Sequence, residues 1–110
     1  MKIAIPTAQG KLSVHFGHCE TFTLIDVDHD TITNTEEVKA PAHEPGVLPR
    51  WLGEQGVSLI IAGGMGQRAQ QLFGNQNIDV VIGAPTEEAK TLVKSYLAGT
   101  LSTGINLCDH

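Results

Sequence analysis

Two short, nearly unbroken apolar runs, Val57-Ser-Leu-Ile-Ile-Ala62 and Ile78-Asp-Val-Val-Ile82, limit what this chain can become more than any other feature. Runs of that length without polar alternation read as strands covered on both faces, the situation of parallel sheets flanked by helices. Each is followed by glycine and then by helical spacing. Gly63-Gly-Met-Gly66 leads into a helix whose buried stripe is Ala69, Leu72 and Phe73. Gly83-Ala-Pro85 is a turn, Thr86 a good N-cap, and Ala89, Leu92, Val93, Tyr96 and Leu97 form the last helical face, stopped by Gly99.

Upstream, Lys2-Ile-Ala-Ile-Pro6 is a β-branched first strand ended by proline, and a long loop from Thr7 to about Glu20 follows it. Thr21–Val27 and Thr31–Val38 flank the polar connection Asp28-His29-Asp30, which predicts an antiparallel hairpin with a polar edge arm. Leu48, Trp51 and Leu52 recur at helical spacing before Gly56. The succession β-β-β-α-β-α-β-α predicts an α/β fold. Right-handed crossovers give a five-stranded mixed sheet in the order 3-2-1-4-5, strand 2 antiparallel, with helices on both faces. Residues 1–99 form one domain, and 100–110 a tail free to move.

The 110 residues suit one domain with its own core, and 41% of them are apolar. No stretch approaches the roughly 20 apolar residues of a membrane span, and the chain enters its first strand without a signal peptide, so a cytoplasmic location is expected with no membrane partner. A net charge of −5 without a Lys/Arg cluster argues against nucleic acid as a partner. Cys19 and Cys108 are thiols in a reducing compartment unless they face each other or a metal.

The predicted topology directs several strand ends to one edge of the sheet, where ligands bind in open α/β folds. The first strand delivers Val14-His-Phe-Gly-His-Cys19, the third His43-Glu-Pro-Gly46, the fourth Gly63-Gly-Met-Gly66. Imidazole and thiolate suit iron–sulfur and molybdenum–sulfur clusters. His15, His18, Cys19 and His43 are the donors in reach, and an extended tail is long enough to return Cys108 and His110. His-x-x-His-Cys is a poor zinc signature. His29, in the hairpin turn, belongs to solvent.

Gly64-x-Gly66-x-x-Ala69 matches a dinucleotide fingerprint only superficially, since Gly83 stands where an acidic residue should follow the next strand. The glycines still offer bare amides to an anion, with Lys11 and Arg68 as nearby cations. A small-anion or nucleotide sensor using Gly63–Gly66 is therefore an alternative. An enzyme with Cys19 or Cys108 as nucleophile has little support, as no general-base geometry is legible. A ribonuclease H-like nuclease would need carboxylates on the first strand, which has none.

Val14-His-Phe-Gly17, His43-x-x-Gly46, Ile60-Ile-Ala-Gly-Gly-Met-Gly66 and Cys108-Asp-His110 resemble the dinitrogenase iron–molybdenum cofactor biosynthesis family over nearly the whole chain. That family includes NifX-like carriers and the C-terminal domain of NifB. The resemblance implies a ribonuclease H-like α/β fold without nuclease activity. It also implies a non-enzymatic role in binding and carrying an iron–molybdenum–sulfur cofactor, its precursor or a related metal–sulfur cluster, as in nitrogen fixation. Expected partners are cofactor-assembly proteins and an apo-metalloenzyme recipient, and the expected state is a monomer or weak homo-oligomer. His15 and His43 are the candidates for holding the cluster, with Phe16, Gly17 and the loop of Gly63, Gly64, Met65 and Gly66 lining it. His18 and Cys19 rest on local chemistry, and Cys108 and His110 match a tail found in stand-alone members.

Overall fold

The computed structural model describes residues 1–13, 21–41, 46–101 and 103. Six strands and three helices follow in the order β1 (Lys2–Ala8), β2 (Lys11–Leu12), β3 (Thr21–Asp28), β4 (Thr31–Lys39), α1 (Val47–Glu54), β5 (Leu59–Ile61), α2 (Gln67–Asn75), β6 (Asp79–Val81) and α3 (Ala89–Ala98). The sheet runs β4-β3-β1-β5-β6, with β2 attached to β1 off this path. β1, β5 and β6 are parallel, while β3 is antiparallel to both β1 and β4.

The expected neighbours are kept along the main path, but the sheet has six strands rather than five, because Pro6 does not end β1. Alternate residues of a strand turn their backbone groups to opposite edges. The Lys2 carbonyl accepts from the Ser58 amide ahead of β5, and the Pro6 carbonyl from the Ser13 amide beyond β2. The missing N–H of Pro6 therefore lies on the edge away from β3, at the point where the neighbour changes from β5 to β2. The β1–β3 register continues through Pro6↔Phe22 to Thr7↔Thr21. A two-residue turn at Gln9 (φ 55°) and Gly10 (φ 81°) then folds β2 back, a hairpin turn in which both residues are left-handed.

Period-two alternation sorts the sheet into two faces. Ala4, Phe22, Leu24 and Ile60 pack with Leu48 and Leu52 of α1 and Phe73 of α2. Ile3, Ile5, Ile25, Val27, Leu59 and Ile61 pack with Ala89, Leu92 and Val93 of α3. Helices thus cover both faces, as expected, two on one and one on the other. β5 and β6 are only three residues each; β5 is buried throughout, whereas β6, at the sheet's edge and so without a second neighbouring strand, has Asp79 exposed and Val80 and Val81 half-buried, less covered than its apolar run predicts. β4 is exposed along its length except at half-buried Ile32 and Val38, which suits an edge strand, and it carries a bulge opposite Asp26/Val27 that discourages further pairing.

Thr86 is not the cap of α3. The helix starts at Ala89 with Glu88 at the N-cap and no capping side chain. The backbone ahead of it is engaged elsewhere: the Leu12 amide donates to the Glu87 carbonyl, and Lys11 bridges to Glu88. Packing against β2 has displaced a local capping preference.

Phe22 is fully buried and its ring lies 5.8 Å from that of Trp51, joining the sheet to α1. Truncation of a buried aromatic costs about 3–5 kcal/mol. Phe22→Ala is expected to lower the urea unfolding free energy by that amount, whereas Thr33→Ala on exposed β4 should change it by less than about 0.5 kcal/mol.

Candidate functional site

Because β1, β4, β5 and β6 all point the same way, their carboxyl ends share one edge of the sheet. Ser13, whose amide donates to the Pro6 carbonyl at 2.8 Å, lies on the β5 side of β1. Thr21, opposite Thr7, lies on its β3 side. The stretch 14–20 therefore leaves the sheet on one side of β1 and rejoins it on the other. Lys39 is the cross-strand partner of Thr21, so the described chain leading to 42–45 starts on the neighbouring strand. It resumes at Gly46, the N-cap of α1, in the left-handed region (φ 81°) where glycine is favoured.

The glycine turn after β5 completes this edge. Ala62, Gly63, Gly64 and Met65 are buried and Gly66 is half-buried. The turn is tied to the one after β6, where the Gly83 amide donates to the Gly63 carbonyl (3.0 Å) and the Ala84 amide to the Ala62 carbonyl (3.1 Å). Gly83 takes φ 80° to make this contact. The Gln70 side-chain amide, one turn into α2, donates to the Met65 carbonyl at 2.9 Å. Met65 itself packs into the core under α1 and α2.

α2 begins at Gly66 in extended conformation, with no capping side chain and no acidic residue in its first turn. Arg68, in that turn, is exposed. Helix N-termini carry partial positive charge, so nothing local neutralises this end of the helix among the described residues.

A feature that the sequence does not reveal lies where β1 ends and β3 begins. Thr7 is fully buried, and its Oγ1 is 3.2 Å from Thr21 Oγ1 and 3.0 Å from Thr23 Oγ1. The Thr21 hydroxyl donates to the Thr7 carbonyl at 2.9 Å. With that proton committed, Thr7 donates to Thr21 and Thr23 donates to Thr7, giving one consistent chain of three hydroxyls. It clamps the ends of β1 and β3 where the 14–20 stretch rejoins the sheet. The alternation of Thr21 and Thr23 about Phe22 is visible in the sequence; their partner is hidden, because the proline at position 6 makes Thr7 look like the start of a loop.

Of the predicted site residues, Gly63, Gly64, Met65 and Gly66 come together on this edge. His15, Phe16, Gly17, His18, Cys19, His43, Cys108 and His110 lie outside the described residues, and among the described residues no group of three or more His, Cys, Asp or Glu could hold a metal ion. His29 sits at the opposite end of the sheet, 93% exposed and 3.5 Å from Asp28, as expected of a solvated turn. Lys11 is exposed on β2.

The sequence matches the family model described as dinitrogenase iron-molybdenum cofactor over residues 1–99. The chain belongs to this family. An uncharacterized protein of Methanocaldococcus jannaschii is 34% identical over 106 residues, spanning 92% of this chain and 89% of that one. The crystal structure of a protein designated PH0822 superposes with a TM-score of 0.87 at 29% identity, covering 94% of each chain. The apo form of the orange protein from Desulfovibrio gigas superposes with a TM-score of 0.73, covering 96% of this chain and 93% of that one; at 19% identity the likeness is one of fold. The family match takes in every strand and helix, including the paired glycine turns after β5 and β6, and ends just beyond α3. No helix of the described residues is long and apolar enough to cross a membrane.

Thr7→Val keeps the shape of the buried side chain but leaves the Thr21 and Thr23 hydroxyls without their shared partner. The expected cost is about 1–3 kcal/mol, read by urea unfolding, with faster amide exchange at Thr21 and Thr23 than at Ile25.

Proposed function

We propose that this chain binds an iron–molybdenum–sulfur cofactor, its precursor or a related metal–sulfur cluster and carries it during cofactor biosynthesis, as a carrier rather than an enzyme. The supporting observation is the adjacency of Thr21 and Lys39. Two donor-bearing stretches, one with His15, His18 and Cys19 and one with His43, are attached to directly paired residues of β3 and β4. Neighbouring strands are about 4.8 Å apart. Chain connectivity thus ties both stretches to one edge of the sheet, which the Gly63–Gly66 turn also borders.

The donor types fit such cargo, since soft thiolate and borderline imidazole match iron and molybdenum bound to sulfide. The surroundings fit its charge. The chain is acidic as a whole, at −5, yet the uncapped start of α2, Arg68 and Lys39 supply positive potential locally. The role of the protein is to hold the cargo and shield it, then release it; no proton transfer or bond cleavage is assigned to its residues. The ribonuclease H-like arrangement serves as a platform whose carboxyl edge is used for binding. Cytoplasmic assembly proteins would supply the cluster and an apo-metalloenzyme would receive it.

Anaerobic reconstitution with iron, molybdate and sulfide is expected to give a coloured, sulfide-containing complex. His15→Ala and His43→Ala should each reduce metal bound per protein, measured by elemental analysis after desalting, with the thermal unfolding midpoint unchanged; His29→Ala should load like the parent. A colourless protein, or equal losses in all three variants, would defeat the proposal. Calorimetry with phosphate, molybdate alone and nucleotides tests a small-anion sensor: tight binding abolished by Gly64→Val but not by His15→Ala would favour it.

A further inference from the structure

Among the described residues β4 pairs only with β3, so one of its edges is free. The ladder decides which backbone groups lie on that edge. Ile3, Ile5 and Thr7 turn theirs to β3, so their partners Ile25, Thr23 and Thr21 face β1, and the residues between, Phe22 and Leu24, face β4. The partners of Phe22 and Leu24 are Val38 and Glu36. The N–H and C=O groups of Thr35, Glu37 and Lys39 therefore point outward. Upstream, Thr33 is the extra residue of the bulge, since Asn34 pairs with Asp26 and Ile32 with Val27. The bulge spoils the first half of the edge and leaves Thr35–Lys39 regular.

This regular half can pair with a copy of itself in one register. A two-fold axis perpendicular to the sheet sets outward-facing residues opposite one another only when it passes through a residue. Axes at Glu36, Glu37 or Lys39 place like charges directly opposite, which is destabilising, and an axis at Thr35 runs the ladder into the bulge at Thr33. The axis at Val38 avoids both faults. There Glu37 faces Lys39 of the second copy and Lys39 faces its Glu37, each in a hydrogen-bonded position, while the two Val38 side chains meet in the closer, non-hydrogen-bonded position. Glu37 and Lys39 are exposed, and neither has an ion-pair partner among the described residues. Charges that guard an edge against other strands thus complement one another here.

The flank suits the same axis. Val38, Ala40 and Trp51 are half-buried on the α1 side, packed against the core that holds Phe22. Phe22 is at once the cross-strand partner of Val38 and the ring neighbour of Trp51. Two-fold symmetry joins these half-covered groups into one apolar strip across the axis.

We propose that this chain associates with a second copy of itself through an antiparallel β4–β4 ladder centred on Val38. The sheet then runs through both copies. Lys39, paired with Thr21 at the carboxyl edge, is one residue from the axis, so the candidate binding edge of each copy lies beside the interface. The ladder is short, at the lower end of specific interfaces, and the association is therefore reversible and concentration-dependent. Cluster binding plays no part in it.

Sedimentation equilibrium of the full, metal-free chain under reducing conditions is expected to show the mass rising from the monomer's 11.7 kDa toward twice that value between micromolar and millimolar protein. Glu37→Lys and Lys39→Glu each set like charges opposite at both pairs and should weaken association by about tenfold or more. Both substitutions in one chain restore opposite pairs and should restore the dimer, and an equimolar mixture of the two single variants should form a mixed dimer. Both positions are exposed, so the thermal unfolding midpoints of the monomeric variants should match the parent's. A mass that stays at the monomer value throughout overturns the proposal. So does a dimer indifferent to the single substitutions, or one that their combination fails to restore.

Discussion

β1 is the strand on which everything else hangs, because both of its edges are occupied and one of them changes partner. Its odd-numbered residues hold β3 from Ile3 to Thr7 without interruption. On the other edge, the carbonyl of Lys2 serves the segment entering β5, and that of Pro6 the segment leaving β2. A proline is tolerated there because its missing donor falls at the change of neighbour. The buried side chains of the same strand supply both cores, Ala4 to the α1 and α2 side, Ile3 and Ile5 to the α3 side.

The change of partner also creates the candidate site. Strands diverge from β1 at its carboxyl end, β3 to one side and the β2 return with the β5 and β6 turns to the other. Open α/β sheets bind ligands at such points because connections separate there and leave backbone groups free of the sheet. Here the free ends are bound to one another first. The three threonine hydroxyls close the β1–β3 side, and the Gly63–Gly83 hydrogen bond closes the β5–β6 side. The stretch 14–20 is attached at Ser13 and Thr21 beside the first clamp, and 42–45 follows β4, whose Lys39 pairs with Thr21.

Electrostatics follow the same division. Acidic residues lie along exposed β4 and ahead of α3, at Glu36, Glu37, Glu87 and Glu88, while the start of α2 carries Arg68 and no carboxylate. An anionic guest is disfavoured near those carboxylates and favoured beside the start of α2, as it is beside the similarly uncapped start of α1. At surface exposure such terms amount to about 0.3–1 kcal/mol each. They help choose the place; metal–ligand bonds would have to supply most of the affinity.

What the sequence determined by itself was the set of layers. Val57–Ala62 is apolar enough that only a sheet covered on both faces can bury it, and the spacing of Leu48, Phe73 and Leu92 marks the helices that do so; Ile78–Ile82 reads the same way, but its place at the sheet's edge leaves it half-buried. Tertiary structure decided the details that depend on neighbours distant in the chain. Pro6 read as a terminator because proline lacks a donor, but its nitrogen faces the edge where little was required of it. Thr86 read as a cap, but β2 claimed the backbone ahead of α3. Thr7 read as loop, yet it is the buried centre of a hydroxyl chain formed with residues fourteen and sixteen positions away. Local chemistry specifies which groups seek partners; which partner each one finds is set by the strand that happens to lie beside it.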